Sequence, residues 1–187
     1  GMNKHASVTI NGNAGTGVAE NMMSGRVHVK GDVSQSAGAT GCGGLLIVER
    51  LGRIDACFAN AGFLASADPL QLSLEEWRGL LAVNLDGAFL TFREVARHMV
   101  ERGGGGKLVA IGSISERFGT PRQAHYAASK AALGSLVRSF AVELARHDVQ
   151  VNLLLPGWIA TEATESAMAY APLHEAILRR TPARRWG

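Results

Sequence analysis

Cysteine is scarce: the 187 residues include two, Cys42 and Cys57. They form no CxxC spacing, and no histidine pattern beside them suits zinc, so no metal site is expected and both thiols read as idle. Long hydrophobic runs are missing as well. No apolar stretch approaches the ~20 residues needed to span a bilayer, and nothing resembles a secretory leader. A membrane partner is therefore not expected, and the cytoplasm is the expected compartment. Charge of one sign is equally scarce. Lysine and arginine number 19 against 16 aspartate and glutamate, a net charge of +3, and the basic residues are scattered. A nucleic-acid partner would call for a basic stripe, so none is expected.

What is present is the composition of one globular α/β domain spanning residues 1–187: 47% hydrophobic, 19% charged, with 23 glycines concentrated at 12–44 and 103–106. From residue 45 onward, strand and helix signals alternate. The run 54–59 is a short apolar strand ending in Asn60-Ala61-Gly62. Ser73 and Glu76 form a capping box that opens a helix, which continues with apolar residues at helical spacing to Met99 and stops at four glycines. A second strand at 107–112 is apolar throughout, as expected of a parallel strand covered on both faces. A long helix over 124–147 leads to a third strand at 149–155, ended by Pro156-Gly157. The first 44 residues are less regular: strands are expected near 8–10 and 27–29, and 45–51 can be read as helical. Strand, helix, strand in succession predicts a Rossmann-like doubly wound parallel sheet with helices on both faces, with ligands at the carboxyl ends of its strands.

Tyr126 and Lys130 lie four apart on the long helix, hence one turn apart on one face. A nearby ammonium stabilises a phenolate, which brings a tyrosine (ordinarily near pH ~10) into use as an acid or base nearer neutrality. Spacing alone also fits an ordinary surface pair. Ser113 follows the strand 107–112, where its hydroxyl can face a ligand crevice or simply cap a turn. Asn84 sits inside a helix, where asparagine is mildly unfavourable; it is either functional or a polar core contact.

Asn60-Ala61-Gly62, Asn84, Ser113, Tyr126-Ala-Ala-Ser-Lys130 and Pro156-Gly157 stand in the order and approximate spacing of the short-chain dehydrogenase/reductase family, which the chain resembles over roughly residues 26–187. The stretches 126–133 and 156–161 are similar to the 3-oxoacyl-carrier-protein reductase and the sugar or polyol dehydrogenase branches. The resemblance implies an oxidoreductase using NAD or NADP on a small carbonyl or alcohol substrate. Tyr126 would exchange the proton, Lys130 would tune it and bind the nicotinamide ribose, Ser113 would orient the substrate oxygen, and Asn84 would hold a water beside Lys130. Asn60, Ala61 and Gly62 would support the adenosine side, Asp32 with Val33 would contact adenine, and Pro156, Gly157, Ile159 and Thr161 would line the nicotinamide pocket. Residues 159–180 match a substrate lid, with Phe63, Leu64, Arg117 and Phe118 bordering the pocket. The helices at 84–102 and 124–146 correspond to those through which the family forms homodimers and homotetramers.

Two departures qualify the resemblance. The nearest match to the family's phosphate-binding glycines is Gly12, Gly15 and Gly17, one residue too tightly spaced, and Asp32 follows too soon for the intervening elements. The chain also stops at Gly187, where the family continues into a last helix and strand. The expectation is that parts of the N-terminal half and the last strand are omitted from a longer protein. The rival reading is an impaired relative that acts only through assembly. Gly1 before Met2 reads as the remnant of a removed tag.

Overall fold

Two parallel ladders carry the strands in the computed structural model, which describes residues 7–11, 26–30, 45–48, 54–161 and 164–187. In the first, β1 (Ser7–Ile10), β2 (Arg26–Val29) and β3 (Leu45–Val48) pair in that order. The helical reading of 45–51 is thereby corrected: 45–48 is a strand. Four consecutive apolar residues have no polar face and so show no helical period, and β-branched Ile47 and Val48 suit an extended chain.

The second ladder is the one that builds the site. It consists of β4 (Ala56–Ala59), β5 (Gly106–Ile111) and β6 (Val149–Leu154), all parallel, with β5 in the centre. Register aligns Cys57 with Leu108 and Val151, and Ala59 with Ala110 and Leu153, so one face of this sheet is uniformly apolar. Leu108 and Ala110 have no exposure at all. The opposite face carries Phe58 and Leu154, which are 64% and 55% exposed.

Helices join these strands. The capping box expected at Ser73 is present: its hydroxyl accepts from the Glu76 amide (3.2 Å), and Glu76 Oε2 accepts from the Ser73 amide (2.9 Å). The Ser73 hydroxyl also donates to Glu76 Oε2 (2.7 Å), and this bond, with that from the Ser73 amide, lowers the Glu76 carboxyl pKa from its ordinary value. The cap opens α1 (Leu74–Leu81), which passes through a five-residue π turn (Ala82–Asp86) into α2 (Gly87–Arg102). α2 buries Ala88, Phe92, Ala96 and Met99, a stripe at three- and four-residue spacing. α3 (Ala124–Leu144) buries Leu133, Val137 and Leu144 on the same core. Phe92 of α2 meets Phe140 of α3 with ring centroids 5.7 Å apart. Parallel strands alternating with packed helices give the Rossmann-like α/β fold expected.

Three of the four glycines after α2 are required by backbone geometry. Gly103, Gly104 and Gly105 all have positive φ (72°, 76° and 70°), a region where a Cβ is strained. At Gly105 a Cβ would also lie 2.5 Å from the Asp148 carbonyl oxygen. Arg102 fastens the turn, donating from Nη2 to the carbonyls of Ile54 (2.8 Å) and Gly105 (2.7 Å). Gly105→Ala combines left-handed strain of about 1–3 kcal/mol with a backbone clash. It is expected to lower the unfolding free energy by that amount or more, seen as a lower urea midpoint at unchanged m-value. A midpoint equal to wild type would refute this account of the turn.

Candidate active site

β4 delivers the chain to Asn60 and Ala61, both exposed, and then to Gly62. A Cβ on Gly62 would stand 3.1 Å from Asn84 Oδ1 and 3.4 Å from Lys130 Nζ. This glycine is therefore the wall against which two of the expected catalytic side chains rest. Cys57, beneath it on β4, is free, and burial pushes its thiol pKa up, which suits the idle role expected. Cys42 lies outside the described residues.

Asn84 occupies the π turn. The Gly87 amide reaches back five residues to the Ala82 carbonyl, widening the helix locally. The sequence pattern reads through this point as continuous helix, and the structure shows why asparagine is tolerated there. Asn84 is 1% exposed and pairs with the backbone of the next residue after Gly62. The Phe63 amide donates to Oδ1 (3.0 Å), and Nδ2 donates to the Phe63 carbonyl (3.0 Å). The remaining Nδ2 proton goes to Ser129 Oγ (3.3 Å) on α3. Asn84 is thus at once a buried polar core contact and part of the site.

The stripe of α3 that buries Leu133 and Val137 continues toward the N-terminus as Ser129 and Lys130, 0% and 5% exposed. Lys130 Nζ donates to the Ile111 carbonyl at the end of β5 (2.8 Å) and lies 5.7 Å from the centre of the Tyr126 ring. The one-turn pairing of Tyr126 and Lys130 is present. Burial pulls the Lys130 ammonium pKa below the ordinary lysine value.

Ser113 follows β5 two residues beyond Ile111. Its Oγ accepts from the Ser115 amide (3.1 Å) and donates to Ser115 Oγ (3.2 Å), so in this state it caps the short 3₁₀ turn at 114–116. The Ile114 amide donates to the Pro156 carbonyl (3.3 Å), which joins this loop to the end of β6. Gly62, Ser113 and Pro156 accordingly follow the carboxyl ends of three adjacent strands.

Gly157, Ile159 and Thr161 are exposed in the loop beyond. That loop is anchored by Thr164 Oγ1 donating to the Ile159 carbonyl (2.7 Å). The expected lid contains α4 (Glu165–Ala169) and α5 (Ala171–Arg180). It closes on itself: Gly187 pairs with the backbone of Trp158 and Ala160, and Trp186 packs on Trp158 and donates to His174 Nδ1 (3.2 Å). Phe63, Leu64, Arg117 and Phe118 are all exposed. Gly12, Gly15, Gly17, Asp32 and Val33 lie outside the described residues. Among the described residues no group of three or more His, Cys, Asp or Glu is placed to hold a metal. Ser129 and the backbone carbonyl of Ile111 escaped the sequence reading. The only signal for Ser129 was its position three residues after Tyr126, on the same helical face.

A family model described as Enoyl-(Acyl carrier protein) reductase matches residues 6–187. The chain belongs to the short-chain dehydrogenase/reductase family. Among its curated relatives, gluconate 5-dehydrogenase of Gluconobacter oxydans 621H is 38% identical over 145 residues, 77% of this chain and 56% of that protein. The uncharacterized oxidoreductase YohF of Escherichia coli K12 is 44% identical over 115 residues, 62% of this chain and 46% of that protein. The chain thus spans about half the length of these relatives. A solved gluconate 5-dehydrogenase from Burkholderia cenocepacia J2315, in complex with NADP and tartrate, superposes with a TM-score of 0.73 at 27% identity, covering 95% of this chain and 82% of that one.

The buried ammonium yields a pH prediction. Its folded pKa is depressed below the unfolded ~10.4, so between the two values the unfolded chain binds more protons. Stability therefore rises with pH across that window and is lost as pH falls through it. Lys130→Met removes the effect. The stability of wild type minus that of the variant, from urea titrations between pH 7 and 10, is expected to climb toward pH 10. A flat or falling difference would contradict the burial.

Proposed function

We propose that this short-chain dehydrogenase is an NAD(P)-dependent oxidoreductase interconverting a secondary alcohol and a carbonyl, with Tyr126 as the proton donor and acceptor. The observation that carries the proposal is the placement of Lys130. Its ammonium is buried beside Tyr126, it is held on Ile111, and among the described residues it makes one hydrogen bond with three N–H donors to give. Two unfilled donors on a buried cation suit a hydroxyl-rich ligand at the strand ends, such as the ribose of a nicotinamide nucleotide. A side chain at Gly62 would crowd this ammonium, its Cβ standing 3.4 Å from Nζ.

On this reading, Lys130, with Pro156 and Gly157 nearby, would hold the nicotinamide end. The nucleotide supplies or takes the hydride when bound. Everything else falls to this chain's side chains. During reduction the Tyr126 hydroxyl donates its proton to the carbonyl oxygen; during oxidation the phenolate removes it from the alcohol. The nearby Lys130 ammonium stabilises that phenolate. The Ser113 hydroxyl keeps the Ser115 amide while its own proton swings from Ser115 Oγ to the substrate oxygen. Asn84, locked on Phe63, keeps the Lys130 side of the crevice polar. The family relatives named gluconate 5-dehydrogenase support a polyol or sugar-acid substrate, and the NADP-bound neighbour supports a nicotinamide nucleotide as a partner. The cytoplasm is the compartment this reading expects; no helix among the described residues is long and apolar enough to cross a membrane.

Tyr126→Phe tests the proton role. Turnover of gluconate or its keto form with NAD or NADP is expected to fall by about 10²–10⁴-fold, the usual weight of general acid–base catalysis, while calorimetric nucleotide binding stays. Turnover surviving the change would remove Tyr126 from the mechanism.

The same reading includes self-association through α2 and α3. Phe89 and Leu90 on α2 are 38% and 41% exposed, and Val142 on α3 is 82% exposed, apolar surface that suits a second copy. Sedimentation velocity of the wild type is expected to show a dimer or tetramer, and Val142→Arg to shift it toward monomer. A wild type that is monomeric at tens of micromolar would rule the interface out.

A further inference from the structure

We propose that Ser129 is a positioning residue: its hydroxyl sets the Tyr126–Lys130 turn of α3 against the π turn that carries Asn84. The kinetic part of this inference rests on the enzymatic reading above; the geometric part does not.

A buried serine in a helix interior has to justify itself physically. Alanine forms helix better and leaves no hydroxyl to satisfy, and a buried hydroxyl without partners costs about 1–3 kcal/mol. Ser129 has no solvent exposure, so water does not satisfy it. Its Oγ instead makes two bonds that run in different directions. It donates to the Tyr126 carbonyl one turn back (2.7 Å), and it accepts from Asn84 Nδ2 (3.3 Å), 45 residues away in sequence. The first bond ties the hydroxyl to the backbone of the proton-transfer residue. The second ties it to the side chain that braces the loop after β4.

Asn84 has no slack with which to absorb a change. Its Oδ1 accepts from the Phe63 amide, one Nδ2 proton goes to the Phe63 carbonyl, and the second goes to Ser129. These three bonds also fix which end of the amide is oxygen, since only Oδ1 can receive the Phe63 N–H. A Cβ on Gly62 would stand 3.1 Å from Oδ1, so the glycine is what lets the amide sit there. Removing the Ser129 hydroxyl therefore leaves a buried N–H on Asn84 without a partner. It also frees the Tyr126 carbonyl from its sideways tether. Both changes act within one turn of Lys130, and neither alters a group that would touch the substrate. A misplacement on the scale of 1 Å costs a reaction up to ~10²-fold, so a partial effect on rate is the expectation.

The experiment compares wild type, Ser129→Ala, Ser129→Thr and Tyr126→Phe in the full chain. Two readouts are used: steady-state kinetics with NAD or NADP on gluconate and its keto form, and the Asn84 side-chain amide signals in ¹⁵N NMR. Ser129→Ala is expected to lower kcat by about tenfold with KM within about twofold, on the scale of a small misplacement. Its Asn84 NH₂ signals should shift and lose exchange protection. Ser129→Thr, which keeps the hydroxyl, should recover most of both. Full kcat in Ser129→Ala, unchanged Asn84 signals, or a threonine variant no better than alanine would each overturn the assignment. Turnover retained in Tyr126→Phe, or absent from wild type, sinks the enzymatic reading instead. In that case the Asn84 signals alone decide: movement in Ser129→Ala upholds the tether, and unmoved signals refute it.

Discussion

The burial of one ammonium group organises the rest of the site. Lys130 sits at 5% exposure on a helix whose neighbouring positions are core leucine and valine. An isolated buried charge is costly, and here it is compensated by a backbone carbonyl and by closeness to polar atoms that are themselves fixed. Lowering the ammonium pKa is the residual sign of that cost. The Ile111 carbonyl is available because β5 ends there: Gly112 still donates to Leu154, but the chain then turns away toward Ser113. A strand end, which leaves backbone acceptors free, is what lets a lysine be buried at this place.

The same helix does two jobs along one face. At its C-terminal end the face carries Leu133, Val137 and Leu144 against β5, β6 and α2; one turn earlier it carries Ser129 and Lys130. The apolar part fixes the rotation of the helix, and the polar part inherits that rotation. No flexible loop stands between the hydrophobic core and the proton-transfer pair. Asn84 is placed in a comparable manner. The π turn inserts one extra residue's width into a helix otherwise held by Leu80 on one side and Ala88 and Phe92 on the other. A side chain that a regular helix would aim elsewhere is thereby turned toward Phe63 and Ser129.

Much of this was legible in the residues, for reasons that differ from element to element. The Ser73–Glu76 cap is a local bond pattern between near neighbours, so the sequence states it directly. The strands 107–112 and 149–155 are apolar runs closed by glycine or proline, and they appear within a residue of their expected ends. The Tyr126–Lys130 pair needs only helical periodicity. What could not be read depends on contacts between distant residues. The π turn is invisible because its residues, Ala82–Asp86, have no composition that separates them from ordinary helix. The role of Gly62 as a wall depends on two side chains, 22 and 68 positions away along the chain, that only the fold brings together. Leu45–Val48 was ambiguous because a run of four apolar residues carries no period, and pairing with β2 decided it.

Among the described residues, the hydrogen bonds of Asn84, Ser129 and Lys130 are made by the chain just after β4, the end of β5, the π turn and α3. Among the described residues, no hydrogen bond to Asn84, Ser113, Ser129 or Lys130 involves a residue before Gly62. Lys130 joins the two ends of this network, since the α3 turn that sets it beside Tyr126 also brings its ammonium to the Ile111 carbonyl at the end of β5.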